Sequence, residues 1–256
     1  MTPRTAALVL AGLLAACTAP GRQDAGGVRP AYNPNRLAEI NVQLGVEYMN
    51  QGNNEAALNK LEKALALDPN YPAAHSTLGI LYNRLGEDGP AEKHFAAAVR
   101  AAPNDSDALN NYGQFLCQKK RISDALDKFD RAVKNPLYDT PAVAYTNAGI
   151  CAYQGGDLDT ADARLRAALQ SDDAFPPALL YMARVSLERA QALQARGYLQ
   201  RYEAAAQQPS ASSLWLGARI ERALNNTEAA QVYERDLRSR FPDSSEVRDL
   251  QSSGAK

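Results

Sequence analysis

The chain has 256 residues, 45% hydrophobic and 22% charged, an ordinary soluble balance that suits one large domain or two smaller ones. Aromatic residues make up only 7%, with one tryptophan, while alanine is abundant, which favours helices packed through small side chains over a large aromatic core. A formal net charge of −1 excludes a global field that would draw the chain to nucleic acid or anionic lipid.

Residues 1–16 read as a lipoprotein signal peptide. Arg4 supplies a positive start, and residues 5–16 form a charge-free run too short to span a bilayer comfortably. The run ends in Leu14-Ala15-Ala16-Cys17, the bacterial lipobox pattern. That resemblance implies cleavage after Ala16, a diacylglyceryl thioether on Cys17 and acylation (palmitate or similar) of the new amine. Multiple acyl chains anchor far more firmly than one, which binds only marginally. The plainer alternative is a secretory signal with an incidental cysteine. Residue 18 is threonine, not the aspartate associated with inner-membrane retention, so the expected location is the outer membrane, facing the periplasm. Residues 17–36 then form the lipidated N-terminus and a flexible tether of about 20 residues, with a coil reach of roughly 25 Å.

From residue 37 onward a repeat governs the sequence. Leu44-Gly45 and Leu78-Gly79 align at a spacing of 34 residues, and Tyr48/Tyr82, Ala57/Ala91, Leu61/Phe95, Ala64/Ala98 and Pro69/Pro103 fall into the same register. These are tetratricopeptide signature positions. Residues 106–139 repeat the pattern with Leu109, Tyr112, Gly113, Ala125, Phe129 and Ala132. A two-residue insertion around Pro136 to Pro141 precedes a fourth unit carrying Tyr145, Gly149, Ala161, Leu165 and Ala168. Two more degenerate units keep Met182, Ala183, Ala195 and Leu199, then Leu216, Gly217, Ala229 and Tyr233. The fold expected is all-α: six helix–turn–helix units over residues 37–245 in a right-handed superhelix, with helix A lining the concave side, then a C-terminal tail over 246–256. No unit can bury its apolar side alone, so stability comes from stacking.

Several strings go beyond the generic repeat: Asn110-Asn111-Tyr112-Gly113-Gln114-Phe115-Leu116-Cys117, Asn147-Ala148-Gly149-Ile150-Cys151-Ala152, Leu214-Trp215-Leu216-Gly217 and Arg240-Phe241-Pro242-Asp243. With the lipobox and the six-unit layout, they resemble the PilF/PilW family of type IV pilus biogenesis and stability lipoproteins. The resemblance implies a pilotin: a non-enzymatic lipoprotein that binds secretin subunits and helps them reach the outer membrane and multimerise. No cofactor, nucleic acid or small-molecule substrate is implied. The rival reading is another envelope scaffold lipoprotein, serving β-barrel assembly or peptidoglycan enzymes.

Lipidation of Cys17 leaves Cys117 and Cys151 as an even pair in an oxidising compartment, on neighbouring A helices. The family resemblance favours a bridge between them; two buried free thiols are the alternative. Concave positions of the A helices supply the candidate partner groove. Val42, Val46, Met49 and Ile80 form a first patch, and Ile150, Tyr153 and Leu180 a second, suited to an amphipathic segment. Superhelix curvature could equally bury these side chains against the next unit. Asn111 and Asn147 share one repeat position where asparagine commonly supports packing, with a peptide clamp as the rival role. His75 and His94 lie in different helices, His94 isolated, and no cysteine or acidic cluster joins them, so no metal site is expected. No phosphate loop, nucleophile elbow or paired-carboxylate site stands out.

Overall fold

The computed structural model describes residues 34–253, so the signal peptide, Cys17 and most of the tether lie outside the described residues. The described chain is helical throughout, with thirteen helices in succession. The A helices of the six units are α1 (Pro34–Asn50), α3 (Pro72–Arg84), α5 (Ser106–Gln118), α7 (Pro141–Gln154), α9 (Pro176–Glu188) and α11 (Ala211–Ala223). Their B partners are α2 (Asn54–Leu67), α4 (Asp88–Ala101), α6 (Ile122–Ala132), α8 (Leu158–Ser171), α10 (Ala192–Ala205) and α12 (Thr227–Arg240), and α13 (Ser245–Ser253) follows. None of these helices is long and apolar enough to cross a membrane.

Local chemistry sets the boundaries. Proline enters α3, α7 and α9 in the first turn, where its missing N–H costs nothing. The side chains of Asn53, Asp105, Asp157 and Asn226 accept backbone N–H bonds at the starts of α2, α5, α8 and α12. Each A–B turn passes through one left-handed residue, Gly52, Gly86, Lys120, Gly156, Ala190 or Asn225 in turn. Lys120 and Ala190 carry this conformation without the freedom of glycine, at about 1 kcal/mol each.

Within a unit the two helices cross where a glycine meets a bulky residue. A Cβ added at Gly113 would lie 2.7 Å from Phe129, and one at Gly149 would lie 2.6 Å from Leu165. Small residues here let the crossing close, and the large partner fills the space beneath. Between units, neighbouring A helices pack closely on each other and each A helix after the first packs on the preceding B helix, whereas B helices meet only through long side chains such as Arg164 with Asp130 and Tyr233 with Glu203. The A helices therefore crowd on the inside of a curve and the B helices fan out on the outside. This one-sided packing makes the superhelix.

The insertion before the fourth unit is absorbed in the connection from α6 to α7, where α6 stops at Ala132 and Tyr138 folds back against Leu109, Ala132 and Ala144. Two regions differ from the repeat arithmetic. In the sixth unit the left-handed residue moves to Asn225 and α12 buries Ala230 and Leu237, with Ala229 half-buried, while Tyr233 keeps its in-register place over Gly217. Residues 246–253 are not a tail: α13 buries Val247 and Leu250 against Leu214 and Leu237 and closes the C-terminal end of the stack. A polar tail could not have covered those apolar groups, which a terminal unit must hide.

Candidate functional site

The concave surface is built from the inner sides of the A helices. The A helices lie close enough that part of the expected lining is consumed by packing. Val42 and Met49 are 8% and 5% exposed, buried with Leu78 and Leu81, and so are not available as partner contacts. The equivalent side chains Ser76, Asn110, Thr146 and Cys117 are buried for the same reason. Val46 stays open at 41% exposure. Ile80 is half-buried between the cores of the first and second units. Ile150 is half-buried beside a small cavity, Tyr153 lies edge-on to Tyr181 at 5.9 Å, and Leu180 is half-buried against the fifth-unit core. The surviving groove row is Val46, Ile80, Gln114, Ile150 and Arg184, one residue from each successive A helix.

The character of the groove changes along this row. The first two units offer aliphatic side chains. The middle is carboxamide: Gln114, Gln118, Asn147 and Gln154 line a cavity of about 140 Å³ with Ile150, next to a disulfide that joins Cys117 to Cys151 with Cα atoms 5.7 Å apart. Toward the C-terminal end the groove turns cationic. Arg184 stacks over Tyr181 at 5.2 Å and bonds the Ser212 hydroxyl, while Arg219 pairs with Glu188.

Asn111 and Asn147 both bond across to the preceding A helix, and Asn147 also lines the cavity. Asn111 donates to Ser76 Oγ at 3.2 Å and Asn147 to Asn110 Oδ1 at 2.9 Å, so each ties its A helix to the preceding one. Lys119 and Arg121 in the third-unit turn pair with Asp88 and Glu92 of α4. Such exposed pairs contribute little to stability.

A second feature escaped the sequence reading. Leu37, Ile40 and Leu44 are exposed together on the outer side of α1, opposite its buried Ala38, Val42 and Met49. Leu44 occupies the same repeat position as Leu78, which is fully buried against the preceding B helix. Nothing precedes α1 among the described residues, so the same side chain faces outward there. Bulky apolar residues on the outer side of a first repeat are themselves the missed signal, since a terminal unit needs polar residues there.

The two histidines are not separate, as their distance in sequence suggests. His75 Nε2 lies 3.0 Å from the Pro69 carbonyl, and the two Nδ1 atoms face each other at 3.0 Å. The ring centroids are 5.2 Å apart, so the rings meet nearly head to head along one N–H···N bond. His75 therefore carries its proton on Nε2, and His94 donates from Nδ1. Chelation would need both lone pairs to converge on a third point, which this alignment does not offer. Burial, then the neighbouring His75 and Lys93, lower the His94 pKa from 6.5 to about 4. The unfolded chain thus takes up this proton at a higher pH than the folded one, and stability falls as pH drops from 6.5 toward 4 and levels off below. Discounted for a half-exposed ring, the loss is about 1–2 kcal/mol. In urea titrations across that window, His94→Asn will show a shallower decline than the parent chain; parallel declines would contradict the assignment.

None of the side chains lining the carboxamide cavity titrates, and among the described residues no group of three or more metal-ligating side chains assembles. The site is a stacked-helix surface with a carboxamide centre.

Comparison with known proteins agrees. Residues 45–86 match the TPR repeat family, and residues 89–139 match the tetratricopeptide repeat family. The type IV pilus assembly protein PilF of Pseudomonas aeruginosa is 27% identical over 253 residues, covering 98% of this chain and 99% of that protein. The crystal structure of PilW, described as a widely conserved type IV pilus biogenesis factor, superposes with a TM-score of 0.79 at 33% identity, over 85% of this chain and 99% of PilW. The structure of Pseudomonas aeruginosa PilF gives a TM-score of 0.76 at 27% identity, over 86% of this chain and 99% of the other. Lipobox aside, the repeat register, the stacked helices and these full-length matches converge: the chain belongs to the PilF/PilW family of tetratricopeptide-repeat pilus biogenesis proteins.

Proposed function

We propose that this protein acts in type IV pilus biogenesis as a pilotin, a non-enzymatic lipoprotein of the outer membrane that binds secretin subunits and promotes their localisation and multimerisation. The observation that carries the reading is the match to PilW across nearly the whole of that chain at 33% identity. The concave groove, with open Val46, half-buried Ile150 and no titrating side chain in its central cavity, supports binding over chemistry.

Mechanistically the device is a tether plus a grip. Acyl chains on Cys17 fix one end at the membrane, and a linker with a reach of roughly 25 Å carries the repeat body. Any secretin subunit held in the groove is then concentrated at that membrane without a new bond being made. In cells lacking the protein, secretin multimers should fall sharply and the subunits should collect away from the outer membrane. Cells carrying Cys17→Ser should keep a folded, soluble body but mislocalise the secretin. Normal multimers in the correct membrane in both strains would refute the pilotin reading. If instead another envelope complex failed in those cells, the rival scaffold role would take its place.

A further inference from the structure

From the middle of the concave face, we infer that the third and fourth units hold an extended, uncharged stretch of polypeptide by its main chain. This rests on the proposed use of that face for partner binding, though not on which partner it is.

Gln114, Gln118, Asn147 and Gln154 surround one cavity with Ile150, and no charged side chain lines it. A carboxamide carries the same N–H and C=O pair as a peptide unit, so it can bond a passing backbone whatever side chains that backbone bears. Internal bonding leaves most of this capacity free. Asn147 spends one donor on Asn110 Oδ1, Gln118 accepts one bond from Asn83 Nδ2 at 2.9 Å, and Gln154 Oε1 lies 3.4 Å from Cys117 Sγ. Gln114 bonds nothing among the described residues and is half-buried at the same cavity.

The occupant's conformation follows from the same inventory. A helix has its own N–H and C=O groups paired and has nothing to give these carboxamides, whereas an extended chain presents both along its edge. Adjacent A helices pack roughly 8–10 Å apart, which is about three residues of extended chain. Each unit therefore meets the ligand backbone at every third residue. A ligand carboxylate or ammonium would lose water here and find no counter-charge, so the favoured segment is uncharged. The Cys117–Cys151 bridge holds α5 and α7 together beneath the site, so the carboxamides need little ordering when a ligand arrives.

The test uses the full-length lipidated protein in detergent micelles and fluorescence anisotropy. Three probes are applied: overlapping peptides spanning the secretin, a set of uncharged random octapeptides, and the intact secretin periplasmic region. Uncharged peptides should bind, and N-methylating their backbone at every third residue should weaken binding about tenfold or more. The variant Gln114→Leu/Gln154→Leu, at one half-buried and one exposed helix position, should lose a similar factor. Circular dichroism of that variant should match the parent. Unchanged affinity on N-methylation or in the double variant would overturn the inference, as would failure of every peptide to bind. Binding of the intact secretin region without any peptide binding would sink the extended mode while sparing the pilotin reading. Peptide binding without secretin binding would do the reverse.

Discussion

Replacing both Cys117 and Cys151 with alanine will lower the stability of the array by roughly 3–4 kcal/mol, as the chain-entropy model gives for a bridge closing about 35 residues. The two residues are 34 apart in sequence and lie at or near full burial, Cys151 among the core of the third unit. Alanine is chosen because serine would bury a hydroxyl in that core. The position of the bridge matters as much as its size. A stack of repeats is stabilised by nearest-neighbour contacts, and this bond crosses the junction of the third and fourth units, the same junction whose connection carries the inserted residues before Pro141. Without it the junction becomes the weakest in the stack, and urea unfolding should broaden or split into two steps. Parent protein treated with reductant should reproduce the variant's curve. Superimposable curves for oxidised, reduced and alanine forms would show that the bridge contributes nothing to the fold.

The second large effect is expected at Phe129, which is 1% exposed beneath the crossing of α5 and α6. Phe129→Ala should cost about 3–5 kcal/mol, the transfer of a buried ring plus the cavity left behind. Gly113→Ala in the parent chain should cost about 1–3 kcal/mol, because its new Cβ must displace a packed ring. A Cβ at Gly113 meets Phe129 atoms at 2.7, 2.9 and 3.0 Å. In the Phe129→Ala background the same methyl enters empty space and should be neutral or stabilising. The double-mutant cycle, read from chemical denaturation, should therefore show strong non-additivity. Simple addition of the two losses would mean that the crossing is not set by this pair.

The fold was legible because the residues that set it act locally and repeat. Gly113 with Phe129 and Gly149 with Leu165 stand at a fixed spacing, and the same small-against-large logic sits in each unit. Legibility faded at the start of α12: nothing in the residues around Asn225 announced that Ala230 and not Ala229 would be the buried one, since the two are chemically identical candidates, although Tyr233 stays over Gly217. The helix at α13 hid for a related reason, with only Val247 and Leu250 to mark an apolar side. The candidate groove was less legible than the fold. Repeat position alone cannot say how tightly neighbouring A helices approach, and that distance decides whether Val42 and Met49 line a groove or fill a core. The meeting of His75 and His94 is equally a property of the turn at Pro69, which sequence periodicity does not describe. Likewise, the exposure of Leu37, Ile40 and Leu44 follows from what lies beside α1 and not from the residues themselves.

Site-specific photo-crosslinking in living cells tests the central claim most directly, that the inner side of the stack grips the partner. A photoreactive residue would replace Val46, Gln114 or Ile150 on the concave row, or Glu62 or Gln170 on exposed sides of the B helices α2 and α8. Adducts between this protein and the secretin are expected from the concave positions and none above background from the B-helix positions. Adducts from Glu62 and Gln170 without any from the concave row would contradict the claim.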